Sequence, residues 1–159
     1  MTQAKAIPDG YHTMTPMLTI RNSAKAVEFY KKALNAQELY RMDGPDGTLM
    51  HAEMKIGNSI FMLGEENLEM GNRSPQTLNG TATALYLYVQ DPDAAFNQAV
   101  SAGAQVGMPV ADMFWGDRVG QVTDPFGHRW WFATHKEDVT PEQMTQRAKE
   151  MFASKASKP

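Results

Sequence analysis

The sequence predicts an α+β fold made of two tandem βαβββ modules followed by a short C-terminal helix. In each half, one strand pattern precedes an amphipathic helix and then three short strands. The two halves also superpose with matching polarity, which pairs Leu18 with Leu87 and Asn22 with Asp91. A length of 159 residues suits one compact fold unit. Duplication of a single module is the simplest interpretation.

The first module is predicted to span residues 10–64. Thr15–Ile20 has the apolar, β-favouring composition of a strand, and Asn22 is placed to cap the helix that follows. Apolar side chains such as Val27 and Tyr30 then recur at the 3.6-residue spacing of a helix face. Turn-forming residues separate three further strands, predicted at Glu38–Met42, Leu49–Ile56 and Ser59–Leu63.

A polar connector is predicted at residues 65–80, and a second module at residues 81–136. The connector is rich in turn formers and has little apolar periodicity. In the second module, Asp91 and Pro92 supply a helix N-cap and first helical position, and Gly103 marks the helix end. Its strands are predicted at Ala84–Val89, Gln105–Met108, Asp117–Thr123 and Arg129–Thr134.

The last part of the chain is predicted to form a helix over residues 140–153. Thr140 and Gln143 have the spacing of a capping box, in which each side chain bonds the other residue's backbone amide. Residues 154–159 are polar and basic without periodicity, so we expect a flexible tail there.

Composition excludes several classes of function. Lys and Arg number 15 against 18 Asp and Glu, a net charge of −3, which argues against nucleic acid as a partner. The chain has no cysteine, so disulfides and thiolate-based metal sites are excluded. No apolar stretch is long enough for a membrane helix, and the N-terminus lacks the pattern of a secretion signal. We therefore expect a cytoplasmic protein without a membrane partner.

Two stretches carry a family resemblance: TPMLTIRNSAKAVEFYKKAL at the front of the first module and VTDPFGHRWWF at the back of the second. Together with the duplicated module they resemble the vicinal oxygen chelate superfamily, the glyoxalase, bleomycin-resistance and dioxygenase group. The stretches GPDG, MHAEMKIGNS, FWGDR, DPFGH and ATHKED are most similar to its PhnB-like branch. The resemblance implies a curved half-barrel of mixed sheets around a ligand cavity, with helices outside. It also implies a homodimer, often with segments exchanged between chains.

Metal-dependent members of this superfamily place four ligands at fixed strand positions. The resemblance transfers these positions to Thr15, Met62, Ala84 and Trp131. None of the four residues is a usual ligand of a divalent catalytic ion, which prefers imidazole or carboxylate groups. We expect no cofactor, and a divalent metal only where a site has been rebuilt elsewhere.

His51 and Glu53 are the candidate catalytic residues. They lie two positions apart on a strand whose intervening residues are apolar, so both side chains belong to one polar face. The pair can act as a general acid and base, as half of a relocated metal site, as hydrogen-bonding partners of a ligand, or as a structural salt bridge.

Aromatic side chains mark the candidate ligand-binding residues. Phe114 and Trp115 precede a strand beside Arg118, a combination suited to stacking and anion recognition. Trp130 and Trp131 point to opposite faces of the last strand. The resemblance implies that Trp131 is the one that faces the cavity. The resemblance also places two methionines in the cavity, namely Met17 and Met62.

The sequence therefore favours a metal-free protein that binds a small planar or anionic molecule in an aromatic-lined cavity. One alternative is an enzyme of the same superfamily, a lyase, isomerase or transferase acting through His51 and Glu53. A second alternative is a protein whose main role is association, with a vestigial cavity.

Overall fold

The computed structural model describes residues 4–156 of the chain, and the side chains of residues 4–154. It contains eight strands and four helices in the order expected for two βαβββ modules. Their bounds are β1 Met17–Ile20, α1 Ser23–Leu34, β2 Gln37–Asp43, β3 Leu49–Ile56, β4 Ser59–Glu65, α2 Pro75–Leu78, β5 Ala84–Tyr88, α3 Pro92–Ala102, β6 Gln105–Asp112, β7 Asp117–Thr123, β8 Arg129–His135 and α4 Pro141–Ala156.

Each module forms one open, four-stranded mixed sheet. The strand orders are β1-β4-β3-β2 and β5-β8-β7-β6, so corresponding strands occupy corresponding places. The first strand of each module runs parallel to the last, whereas the other neighbours are antiparallel. A parallel pair needs a long crossover connection, and in both modules this crossover begins with the helix. The expected α+β class is confirmed.

The register confirms that the modules are copies. In the first sheet Met17 lies opposite Met62, and in the second Tyr86 lies opposite Trp131. Tyr86 follows Met17 along the chain by the same number of residues as Trp131 follows Met62, so the two strand pairs superpose without a shift. The pairs Met17–Met62 and Tyr86–Trp131 are therefore equivalent positions.

One hydrophobic core joins the two modules. Helices α1 and α3 pack against each other, and side chains from both sheets close around them. Tyr30 is fully buried, and its ring contacts those of Phe61, Phe126 and Trp130 at centroid distances of 5.3 to 6.2 Å. These helices cover one face of each sheet and leave the other face without them. We call the uncovered side the open face.

The start of α1 differs from the prediction. Asn22 has a left-handed backbone with φ 65° and makes no side-chain cap. The cap comes instead from β4, where the Glu65 carboxylate accepts hydrogen bonds from the amides of Asn22 and Ser23, both at 2.8 Å. The prediction of an Asn22 cap was wrong because Asn22 is left-handed instead of extended, as a capping residue usually is, and Glu65 supplies the acceptor in its place.

The second module matches its predicted signals more closely. Asp91 caps α3, accepting a hydrogen bond of 2.9 Å from the Ala94 amide. Strand β6 extends to Asp112 instead of ending at Met108, because its pairing with β7 continues through two register irregularities. Gly107 and Pro109 interrupt the alternation that would have shown this in the sequence.

The connector is more ordered than its composition suggested. The first residue of the predicted connector, Glu65, belongs to strand β4, and the short helix α2 lies within the connector. The buried Ser74 caps that helix through a 3.3 Å hydrogen bond from the Thr77 amide.

Helix α4 shows the predicted capping box and then runs past its predicted end. The Thr140 amide donates to Gln143 at 3.0 Å, and the Gln143 amide donates to Thr140 at 3.3 Å. The helix continues to Ala156, so the tail predicted at 154–159 begins as helix, and residues 157–159 lie outside the described residues. The sequence contains no helix breaker between residue 142 and Pro159. Within residues 4–156, none of the helices is long and apolar enough to cross a membrane.

Candidate functional site

The open face of the second sheet carries a set of exposed aromatic rings. Tyr86 and Trp131 stack with centroids 6.0 Å apart and planes 18° from parallel, because their strands place them side by side. Tyr88 lies next along the same face, 5.3 Å from Tyr86. Tyr86 is 43% exposed and Tyr88 is 68% exposed. We call Tyr86, Tyr88 and Trp131 the aromatic platform.

A buried carboxylate holds the platform in place. Asp117, only 6% exposed, accepts hydrogen bonds of 3.4 Å from the hydroxyls of both Tyr86 and Tyr88. Burial, followed by the charge of Asp117, raises the pKa of Tyr86 to about 12, and the same causes raise the pKa of Tyr88. Both hydroxyls therefore stay neutral donors at physiological pH.

His135 completes this cluster at the end of β8. Its Nδ1 lies 2.8 Å from Asp117, and its Nε2 lies 2.9 Å from Asp138. Hydrogen bonding to Asp138, and then to Asp117, raises the pKa of His135 above its usual 6.5. With a carboxylate at each nitrogen, the imidazolium form satisfies both contacts as a double donor.

The loop before β7 brings Trp115 to the platform. The Phe114 and Trp115 rings meet edge to face with centroids 5.0 Å apart. Hydrogen bonding with the Trp115 side chain partly opposes the rise in the pKa of Tyr86. Gly116 has φ 96°, and a Cβ there would collide with the Glu137 carbonyl. The loop is therefore pinned against the chain after β8.

Arg118 does not join these aromatic residues. It projects from the face of β7 opposite Asp117, where helix α3 presents Asp93. Its guanidinium donates two hydrogen bonds of 2.7 Å to Asp93 and one of 3.1 Å to Asp112. Asp93, and then Asp112, raise the pKa of Arg118 above its usual value and occupy its hydrogen-bond donors. The expectation that Arg118 recognises an anion beside the tryptophans does not fit this placement.

The open face of the first sheet carries a different set of side chains. Met17 and Met62 stand where the second sheet has Tyr86 and Trp131, and Met17 is 63% exposed. Thioethers replace aromatic rings at these equivalent positions. The second sheet is therefore the better surface for stacking.

His51 and Glu53 lie together on this first open face, as predicted from the alternation. The His51 Nε2 atom is 3.5 Å from Glu53 Oε1, and the hydroxyl of Tyr11 donates to the other carboxylate oxygen. This hydrogen bond is the main reason that the pKa of Tyr11 rises to about 12. The N-terminal residues 6–15 thus form one wall of a cavity of about 580 Å³, which Glu53 and Met62 also line.

Sequence reasoning missed three members of these clusters: Tyr11, Tyr86 and Tyr88. Alternation in the strand ALYLY already places Tyr86 and Tyr88 on one face, so that signal was available. Tyr11 gave no signal, because it lies in an irregular segment 42 residues from Glu53.

The fold and these clusters can be compared with known proteins. The family model of the Glyoxalase/Bleomycin resistance protein/Dioxygenase superfamily matches residues 12–132, which is most of the chain. The chain belongs to this superfamily.

Several known proteins are similar to this chain in sequence across most of their length. An uncharacterized protein of Mycobacterium bovis is 40% identical over 134 residues, covering 82% of this chain and 88% of the relative. An uncharacterized protein of Arabidopsis thaliana is 34% identical over 125 residues, covering 74% of each.

Solved structures show the same fold. TioX from Micromonospora sp. ML1 matches with a TM-score of 0.60 and 27% identity, over 81% of this chain and 100% of TioX. A PhnB protein from Bacillus cereus matches with a TM-score of 0.58 and 18% identity, over 77% of this chain and 99% of that protein. The PhnB-like resemblance of the sequence is thus matched at the level of the fold.

The superfamily positions for a metal do not fit a divalent ion in this chain. Thr15, Met62, Ala84 and Trp131 supply one hydroxyl, one thioether, a methyl group and an indole. The Thr15 hydroxyl already donates to the His12 carbonyl at 3.2 Å. Across the described residues, no three His, Asp or Glu side chains converge as a metal site would require. Cofactor-free binding stays a prediction.

Proposed function

We propose that this protein binds a small planar molecule on the aromatic platform of the second sheet without using a metal ion. The observation that carries the proposal is the stacked pair of Tyr86, which is exposed, and Trp131, which is half-buried. A planar ring placed on such a pair gains offset stacking energy in addition to the burial of apolar surface.

The platform is prepared for binding before a ligand arrives. Both tyrosine hydroxyls are held by Asp117, and Trp131 lies between neighbouring strands. Side chains that are already fixed lose little rotamer freedom when they bind, so more of the contact energy appears as affinity.

The charges beside the platform favour a neutral or cationic ring over an anionic one. The carboxylate of Asp117 lies directly behind the tyrosine hydroxyls, and with Asp138 it makes two carboxylates for the one imidazolium, His135, that lies between them. Aromatic faces attract cations, and a nearby carboxylate strengthens that preference. An anionic substituent would be repelled here.

The test is a fluorescence titration with acriflavine, a planar cationic dye, followed by Trp131→Ala. We expect the wild type to quench the fluorescence of the dye saturably. Binding should be about tenfold weaker in the variant, since an aromatic pair is worth roughly 1 kcal/mol or more. Phe152→Ala is the matched control, because it removes an exposed ring on α4 away from both sheets. Unchanged binding in both Trp131→Ala and Tyr86→Ala would contradict the proposal.

A second candidate function is acid–base catalysis in the cavity of the first sheet. It is supported by the chain of Tyr11, Glu53 and His51, in which one carboxylate contacts both a hydroxyl and an imidazole. An enzyme of this kind would lose turnover in His51→Ala while keeping most of its substrate affinity, whereas Trp131→Ala would leave turnover intact. The opposite pattern favours the platform.

We also propose that a second copy of this chain stands over the open faces, so that a ligand on the aromatic platform lies between the two copies. Large side chains are exposed on both, with Tyr40 at 50% on the first sheet and Tyr88 at 68% on the second. Exposed apolar groups on this scale commonly mark an association surface. Because the two faces are equivalent surfaces of one duplicated module, a twofold axis can set the first sheet of one copy against the second sheet of another.

Sedimentation velocity tests this assembly. We expect a dimer in the wild type and a monomer for Tyr40→Lys, which places a charge on the first open face. Met70→Lys is the control, because Met70 is exposed in the connector and belongs to neither sheet. A monomeric wild type at high concentration would contradict the proposed dimer.

A further inference from the structure

A cleft of about 610 Å³ lies between the two modules, away from the aromatic platform. Strand β1 forms one wall, the connector a second, and the start of β8 a third. Neither Tyr86 nor Trp131 lines it. Its lining, which falls wholly within the described residues, includes Arg73, His128 and Arg129 but no Asp or Glu. The cleft is therefore basic, in a chain whose net charge is −3.

The arginines of the chain divide into two groups by their partners. The sequence contains six. Four of them form ion pairs with a carboxylate: Arg21 with Glu66, Arg41 with Asp43, Arg118 with Asp93, and Arg147 with Glu137. Within the described part of the chain, Arg73 and Arg129 form none. Both of these line the same cleft.

Arg129 carries an unsatisfied donor. One terminal nitrogen donates to the Thr81 carbonyl at 3.0 Å, which fixes the guanidinium at the cleft. Its Nε atom is buried and has no hydrogen-bond acceptor among the described residues. A buried guanidinium donor without an acceptor is costly, and such groups are commonly satisfied by a bound ion or water.

The rest of the lining is apolar or fixed. Met17, Leu78 and Leu85 line the cleft, and Met17 and Leu78 are more than half exposed. The His128 ring is held against the Thr19 carbonyl, with Nε2 at 3.2 Å. A ligand that fits here therefore needs both an acceptor group for the arginines and an apolar part for the remaining wall.

We propose that the cleft binds an amphiphilic organic anion, with its carboxylate or phosphate group at Arg73 and Arg129 and its apolar part along Met17, Leu78 and Leu85. Guanidinium donors match both oxyanions by paired hydrogen bonds. The site does not depend on the proposed function, because its residues are separate from the aromatic platform and its ligand has the opposite charge preference.

Calorimetric titration of the full chain tests the site with three probes. Octanoate and octyl phosphate carry the two candidate head groups, and octylamine carries the same chain with the opposite charge. We expect at least one anion to bind with one site per chain, and octylamine not to bind. Comparing the two anions identifies the preferred head group.

Variants tie the binding to the cleft. Arg73→Gln should weaken binding of the anion about tenfold, since a charge-assisted hydrogen bond is worth roughly 1.5 kcal/mol or more. Arg73 is exposed, so this variant should fold normally. Arg41→Gln is the matched control on the edge strand β2, and Trp131→Ala should also bind the anion normally. The proposal further predicts that one arginine Nε–H resonance of the wild type shifts when octanoate is added. That resonance should be missing from the spectrum of Arg129→Gln.

Three results would overturn the proposal. They are no binding of either anion, equal binding of octylamine, or equal affinity of Arg73→Gln and Arg41→Gln. None of them bears on acriflavine binding, so the two proposed sites fail or survive separately.

Discussion

Asp117 shows how far one residue's role depends on its strand position. It stands opposite His135 in the register of β7 and β8, and its side chain faces the platform. Its neighbour Arg118 faces helix α3 and pairs with Asp93. Adjacent residues of opposite charge thus serve opposite faces of one sheet, and they do not pair with each other.

The protonation of His135 gives a test at this scale. Its raised pKa means that its contribution to stability is fully present below pH 6.5 and is lost as pH rises through the folded-state pKa. Asp117→Asn should therefore lower the His135 pKa toward 6.5 in an NMR titration. Asp112→Asn is the control, because Asp112 contacts Arg118 on the other face. An equal His135 pKa in both variants would remove Asp117 as a cause.

Single residues were predictable where alternation alone decides their direction. The opposite orientations of Trp130 and Trp131 followed from the period of two, and Trp130 is indeed 2% exposed in the core. The stacking partner of Trp131 was not predictable, since it depends on which strand lies beside β8 and in what register. The partner of Arg118 was hidden for the same reason, 25 residues away on α3.

At the scale of elements, helix α1 depends on the strand that returns beside β1. Because β4 runs parallel to β1, its last residue, Glu65, arrives where α1 begins. There its carboxylate accepts hydrogen bonds from two amides and, at 2.6 Å, from the hydroxyl of the buried Ser23. A carboxylate at a helix N-terminus also interacts favourably with the helix dipole.

Replacing this cap should destabilise the fold. Glu65→Ala leaves two amides without an acceptor and leaves the Ser23 hydroxyl only the Leu49 carbonyl at 3.3 Å. We therefore expect a loss of about 1–3 kcal/mol in the free energy of unfolding. Urea denaturation measures it. Glu69→Ala provides the comparison, since Glu69 is exposed in the connector. A loss no larger than in Glu69→Ala would show that the cap contributes little.

The bounds of an element were easiest to predict where its pattern is unbroken, and hardest where the pattern is short or interrupted. Strand β3 has its predicted bounds because apolar and polar residues alternate from Met50 to Ile56. Helix α2 was missed because a four-residue helix is too short to show a period. The prediction for strand β6 ended too early for a related reason, since Gly107 and Pro109 disrupt its pattern.

For the molecule as a whole, Asp124 connects the two modules. It is 4% exposed and accepts hydrogen bonds from the Tyr30 hydroxyl at 2.7 Å and the Trp130 indole at 2.9 Å. The amides of Phe126 and His128 bond its other oxygen, both at 2.9 Å. One carboxylate from the second module thereby satisfies a fully buried hydroxyl of the first. Burial, and then the charge of Asp124, raises the pKa of Tyr30, so this hydroxyl remains a donor.

Removing the donor should weaken this connection between modules. We expect Tyr30→Phe to lower the free energy of unfolding by about 1–3 kcal/mol, because the bond is buried and charge-assisted. The double variant Tyr30→Phe with Asp124→Asn should lose less free energy of unfolding than the sum of the two single variants, because both changes remove the same interaction. Tyr40→Phe is the control, at an exposed tyrosine. Strictly additive losses in the double variant would contradict a direct coupling.

The bond between Tyr30 and Asp124 also has a consequence during synthesis on the ribosome. The two residues are 94 positions apart, and the first module is complete at Glu65, well before Asp124 is made. At about 5–20 residues per second, the nascent first module waits roughly 3–12 seconds for this acceptor. During that interval the Tyr30 hydroxyl has no carboxylate partner, and Trp130 is still missing from the rings that surround Tyr30 in the folded core. The growing chain is therefore most exposed to wrong associations just when its first half has become long enough to collapse.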